Sequence, residues 1–120
     1  MPETEVSAIT DYMIQTITPQ EAEALISQGD FDVIDVRDPR DWSVGHIPHA
    51  RPLPLAEITA NPRAVLPRDG VVFVCARGVR SLTAAKAAEA VGLERVYSVE
   101  GGTQAWSGAG LPLVSEGGGI

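Results

Sequence analysis

The chain carries one cysteine, Cys75, and one lysine, Lys86, among 120 residues. A lone cysteine excludes an internal disulfide. With two histidines beside it, the set is too small for a four-thiolate or mixed structural zinc site, so no metal is expected. Nine cationic side chains against sixteen acidic ones leave a net charge of -7, which repels phosphate backbones and anionic lipid; neither nucleic acid nor membrane is an expected partner. No apolar run approaches the roughly 20 residues a membrane span requires. Glu3, Glu5 and Asp11 stand where an export signal would be positive, so a cytoplasmic, reducing compartment with Cys75 as a free thiol is expected. Asp35, Asp38 and Asp41 lack the glycine and later glutamate of a calcium loop and read better as a strand end, a turn and a helix start. There is no internal repeat and no interdomain linker.

What is present describes one globular domain: 44% hydrophobic and 21% charged residues, with a core over residues 13–114, a polar lead over 1–12 and a glycine-rich tail over 115–120. Thr18-Pro19-Gln20-Glu21 has the form of a capping box, and Ala22, Leu25 and Ile26 then share one helical face before Gly29. Residues 31–36 and Val71–Val74 read as interior strands, with an edge strand near 51–54 and a helix over 55–60 between them. An alanine-rich helix over 81–91 with Gly92 at its end, a strand over 95–99, and a short helix from Gly101-Gly102 through Trp106 complete the pattern. Alternating strands and helices predict an α/β fold: an open, mainly parallel sheet of about five strands with helices on both faces and right-handed crossovers.

Sites in such sheets lie at the carboxyl ends of strands, and Cys75 follows Val74 directly. Cys75-Ala76-Arg77-Gly78-Val79-Arg80-Ser81 joins an apolar strand to a helix, so backbone N–H groups and the positive helix end can converge on the sulfur and favour thiolate. Arg77 and Arg80 would draw an anionic substrate. A lone cysteine at a strand end is more often a small buried hydrophobe; its position between a buried strand and a capped helix argues for a nucleophile instead.

Over residues 18–112 the sequence resembles the rhodanese-like sulfurtransferases. Asp35-Val36-Arg37 with Asp41-Trp42, Gly45-His46-Ile47-Pro48 and Ala50 looks like that family's first signature; residues 75–81 look like its active-site loop; and Gly101-Gly102, Ala105-Trp106 and Leu111-Pro112 look like its closing signature. His49 departs from it, standing where the family usually has glycine, which bears on the local turn. The resemblance implies a single rhodanese-like domain whose Cys75 takes a sulfane sulfur from an anionic donor such as thiosulfate and passes it, as a persulfide, to cyanide or a thiol. The amides of Ala76, Arg77, Gly78, Val79 and Arg80 would steady the outer sulfur, Arg77 would hold the donor's sulfonate end, and Arg80 would fold inward. No cofactor is implied. A sulfur-relay module serving a partner protein is the second reading. A cysteine-dependent phosphatase or arsenate reductase is a weaker third, since dual-specificity phosphatases of this fold have seven residues from cysteine through arginine and this chain has six.

Other residues have plainer readings. Asp35 and Arg37 read as an ion pair supporting the loop, His46 as part of the scaffold, and His49 as solvated. Trp42 and Trp106 read as core or core-rim packing. Gly101 and Gly102 serve a tight turn. Residues 117–119 resemble a sulfur-carrier diglycine tail only superficially, because Ile120 follows. Without a second cysteine the chain cannot discharge a persulfide into its own disulfide and needs an outside acceptor.

Overall fold

The computed structural model describes residues 14–66 and 69–115; the polar lead over 1–12, and the tail apart from Ser115, lie outside the described residues. In chain order the elements are β1 (Ile14–Ile17), α1 (Pro19–Gln28), β2 (Asp32–Asp35), α2 (Pro39–Val44), β3 (Arg51–Pro52), α3 (Leu55–Ala60), α4 (Pro62–Val65), β4 (Val71–Val74), α5 (Val79–Ala90), β5 (Val96–Val99) and α6 (Gly102–Gly108). The five strands form one sheet in the order β1-β5-β4-β2-β3, and every pairing is parallel.

The caps follow from the sequence. Thr18 Oγ1 accepts from the Glu21 amide at 3.1 Å while Glu21 Oε1 accepts from the Thr18 amide at 2.9 Å, which satisfies two of the free donors at the start of α1. Gly29 ends that helix in the left-handed region at φ 84°. Asp38 caps α2, accepting from the Arg40 amide at 3.1 Å, with Pro39 at the first helical position.

β4 is buried on both faces and its side chains alternate between two cores. Val71 and Phe73 enter the layer closed by α3, α4 and α5, where Ile34, Ile58, Ala84, Ala85 and Ala88 lie; Val72 and Val74 enter the opposite layer with Ala22 of α1 and Trp106 of α6. Helices thus cover both faces, as the alternation of elements predicts.

Several boundaries differ from the sequence reading, which gives no range for β1, α2 or α4. β1 is an edge strand of four residues with Gln15 and Thr16 exposed, too short and too polar to show a period. β3 shrinks to two residues because Pro52 and Pro54 have no N–H to give a ladder. α5 starts at Val79, two residues early, because Gly78 turns the chain at φ 98°. No described helix is long and apolar enough to cross a membrane.

Candidate active site

Cys75 continues the alternation of Val71 and Phe73, so its side chain enters the layer beneath α5 and is 2% exposed. α5 buries Ser81, Ala84, Ala85 and Ala88, a stripe at helical spacing that leaves the Ser81 hydroxyl facing the sulfur. The Gly78 amide donates to Cys75 Sγ at 3.0 Å and the Ser81 amide at 3.4 Å, with Ser81 Oγ 3.5 Å away. Burial pushes the thiol up. The Ser81 hydroxyl and the amides of Ser81, Arg77 and Gly78 push it down and prevail, so Cys75 ionises more readily than an ordinary thiol.

The loop is held from outside by α6. The Thr103 amide donates to the Cys75 carbonyl at 2.8 Å and the Gln104 amide to that of Ala76 at 3.1 Å. Tying these carbonyls outward leaves the loop amides free to face the sulfur. The approach is so close that a Cβ on Gly102, itself at φ 62°, would strike the Cys75 and Ala76 backbone. Glycine is required here by the loop as much as by the turn.

A cavity of about 340 Å³ opens over the sulfur, lined by Cys75, Ala76, Arg77, Val79, Arg80 and Gln104. Arg77 and Arg80 are exposed at its mouth, and Val79 between them is 72% exposed. Arg80 therefore does not fold inward as expected; the inward positions of α5 belong to Ser81 and the alanines, and the turn of the helix carries Arg80 outside that stripe.

Asp35 and Arg37 do pair. Arg37 Nε donates to Oδ1 at 2.9 Å and Nη2 to Oδ2 at 2.8 Å, while Nη2 also donates to the Gly45 carbonyl at 2.7 Å. The hydrogen bond to Asp35 is the strongest influence holding Arg37 protonated; burial opposes it, and the charges of Asp35, Asp41 and Cys75 add to it. The guanidinium lies close enough to the sulfur to feel its charge, with its Nε and Nη2 donors committed to Asp35 and the Gly45 carbonyl.

The remaining residues take the plainer roles. Trp42 stacks on His46 with ring centroids 4.2 Å apart and donates to the Ala50 carbonyl at 2.9 Å. His46 and Val114 exchange two backbone hydrogen bonds of 2.8 Å, tying the end of the described chain to the first signature. Trp106 is buried and donates to the Pro112 carbonyl at 2.8 Å. His49 is exposed and sits at φ 74°, the left-handed conformation that a glycine would take without strain. Among the described residues no cluster of three or more His, Cys, Asp or Glu side chains could hold a metal ion.

Sequence reasoning missed Ser98 and the grip of α6 on the loop. Ser98, 1% exposed, is the polar residue of an otherwise apolar, buried strand face, and its Oγ lies 2.8 Å from Ser81 Oγ. A hydroxyl in such a place is itself a signal, since a buried one must find a partner.

A family model described as the Rhodanese-like domain matches residues 18–109. The thiosulfate sulfurtransferase GlpE of Vibrio cholerae is 32% identical over 92 residues, covering 77% of this chain and 87% of that protein. A probable adenylyltransferase/sulfurtransferase, MoeZ of Mycobacterium tuberculosis, is 37% identical over 95 residues, covering 77% of this chain. The chain spans 24% of the length of MoeZ and 55% of that of an uncharacterized Synechocystis relative. A solved structure from Rhodopseudomonas palustris, of a protein of unknown function described as a possible tyrosine phosphatase, is 35% identical with a TM-score of 0.73, covering 91% of this chain and 93% of that one. With a family model spanning most of its length and a relative 32% identical over most of both chains, this chain belongs to the rhodanese-like family.

Proposed function

We propose that the protein is a sulfurtransferase working through a persulfide on Cys75. The observation that carries this reading is the set of groups gathered on Sγ, the Gly78 and Ser81 amides donating to it and the Ser81 hydroxyl 3.5 Å away, under a mouth bearing Arg77 and Arg80. Relatives named as sulfurtransferases support sulfur transfer in general.

In the loading step the Cys75 thiolate attacks the outer sulfur of an anionic donor such as thiosulfate. A new S–S bond forms, the donor's S–S bond breaks, and sulfite departs with the electron pair; three negative charges stand on each side. Arg77 and Arg80 attract the dianion, and Arg77 holds its sulfonate end. In the discharge step cyanide or a thiolate attacks the outer sulfur, and the electron pair of the breaking bond returns to Cys75 Sγ. The acceptor comes from outside, because the chain has no second cysteine.

A relay role, in which a protein supplies or receives the sulfur, is the second reading; it is favoured by the likeness to MoeZ, whose name couples adenylyl and sulfur transfer. The phosphatase reading rests on the Rhodopseudomonas neighbour, and the six-residue loop from Cys75 through Arg80 argues against it.

The test is intact-protein mass spectrometry after brief exposure to thiosulfate. The wild type gains the mass of one sulfur, Cys75→Ala gains nothing, and cyanide removes the gain as thiocyanate. No gain from thiosulfate, but a gain from a cysteine desulfurase, selects the relay; no gain from either, with hydrolysis of an aryl phosphate, selects the phosphatase.

A further inference from the structure

Two hydroxyls are stacked behind the sulfur. Ser81 Oγ lies 3.5 Å from Cys75 Sγ and 2.8 Å from Ser98 Oγ, and both serines are buried, at 0% and 1% exposure. Ser81 comes from α5 and Ser98 from β5, so the pair crosses from the helix to the sheet.

Each hydroxyl has one proton, and that fixes what the pair can do. When Cys75 is a thiol its S–H points to Ser81 Oγ, and the Ser81 proton is free to turn toward Ser98. When Cys75 is a thiolate the Ser81 proton must turn to the sulfur. Ser81 Oγ then presents a lone pair to Ser98, whose hydroxyl donates to it. The second donation polarises the first, so the two act together.

We propose that Ser98 is a positioning residue: acting through Ser81, it holds the hydroxyl proton on Sγ whenever the sulfur carries charge. Its role in turnover rests on the sulfurtransferase reading above. In the persulfide the charge sits on the outer sulfur and Sγ is an uncharged sulfide. At discharge the acceptor's lone pair forms a bond to the outer sulfur, the S–S bond breaks, and Sγ receives the pair: persulfide anion plus cyanide gives thiolate plus thiocyanate, two negative charges on each side. The hydroxyl pair meets charge arriving on Sγ, so it assists the departing thiolate of this second step.

The other charged groups around the sulfur are Arg37 beside β2, paired with Asp35, and Arg77 and Arg80 of the loop; Gln104 of α6 is the uncharged polar side chain lining the same cavity. None of them hydrogen-bonds Ser98 among the contacts of the described residues.

The experiment measures the rate of Cys75 alkylation by iodoacetamide against pH in wild type, Ser98→Ala, Ser81→Ala and the double variant. It then follows single-turnover release of thiocyanate from preloaded protein. Ser98→Ala is expected to raise the alkylation midpoint by about half to one pH unit, the effect of one ordinary hydrogen bond, and to slow discharge by about three- to tenfold. Ser98→Thr, which keeps the hydroxyl, restores both. In the Ser81→Ala background, loss of Ser98 adds nothing further. An unchanged midpoint in Ser98→Ala, or effects that simply add in the double variant, overturns the proposal. Where Ser98→Ala does not fold, Ser98→Thr is compared with Ser98→Val, equal in shape and differing in the hydroxyl; equal midpoints overturn it as well. Alkylation needs no sulfur donor, so a shifted midpoint without persulfide formation counts against the sulfurtransferase reading and leaves the positioning role intact.

Discussion

Asp35 is wholly buried, and Arg37, itself 8% exposed, neutralises it with a guanidinium that spans from that carboxylate to the Gly45 carbonyl. The pair joins the end of β2 to the close of α2, beside the loop that carries Cys75. Removing the arginine side chain leaves a wholly buried carboxylate without its counter-charge, a change that costs about 3–5 kcal/mol. Arg37→Ala is therefore expected to lower the urea midpoint severely. Arg37→Lys is expected to recover only part of the loss, because an ammonium cannot reach both carboxylate oxygens and the carbonyl in one plane. Equal midpoints for wild type and Arg37→Ala would show the pair to be ornamental.

Gly102→Ala is expected to disturb the nucleophile from a distance of 27 positions in sequence. The added methyl would strike the Cys75 and Ala76 backbone, and φ 62° strains any L side chain. We expect a loss of about 1 kcal/mol or more in stability together with a higher alkylation midpoint for Cys75, since the loop amides would turn from the sulfur. A stability loss without a change in midpoint would mean that the loop keeps its form by other means.

His49→Gly should stabilise the protein. A left-handed L-residue costs about 1–2 kcal/mol, and the extra freedom that glycine brings to the unfolded chain returns about half of this. The expected outcome is a gain of roughly 0.5–1 kcal/mol in urea unfolding. The loop that carries Cys75 is far from this turn in sequence, and alkylation of Cys75 serves as the control.

Asp69 makes stability depend on acid. Burial raises its carboxyl, but the amides of Arg95, Gly70 and Glu94, at 2.8, 2.9 and 3.0 Å, and the Arg95 charge hold it below the ordinary carboxylate range. A carboxyl lower in the folded than in the unfolded state contributes fully above its unfolded value, and the contribution is lost as pH falls through the folded one. Asp69→Asn, which still accepts through its amide oxygen but carries no charge, is expected to lower the unfolding midpoint at neutral pH and to flatten its decline in acid. Parallel declines for the two proteins would assign the acid sensitivity elsewhere.

Where local chemistry decides an element, the sequence could be read directly. The Thr18 to Glu21 box and Gly29 bound α1 because their side chains and conformations satisfy helix ends without help from the rest of the chain. The continuous apolar run of β4 announced a strand buried on both faces, and the cysteine following it marks the candidate site. Relations across the fold were hidden. β1 exists because β5 offers it an edge, and nothing in four residues with an exposed polar pair says so. The outward position of Arg80 depends on the alanine stripe that α5 turns to the sheet. Ser81 was legible as part of the loop, but its partner Ser98 lies 17 residues later on another element.

The grip of α6 on the Cys75 and Ala76 carbonyls has a consequence for how this protein handles ions. Peptide dipoles locked in this way, among them the one that carries the Arg77 amide, cannot reorient when charge appears on the sulfur, so this part of the shell is already arranged for the anion and only the Ser81 and Ser98 hydroxyls turn. Such a shell belongs to the backbone and cannot be displaced by dissolved electrolyte. The two arginines at the mouth act through water and are screened over about 8 Å at physiological ionic strength. Salt should therefore separate the two halves of the site, weakening capture of an anionic donor while leaving the readiness of the nucleophile as it was.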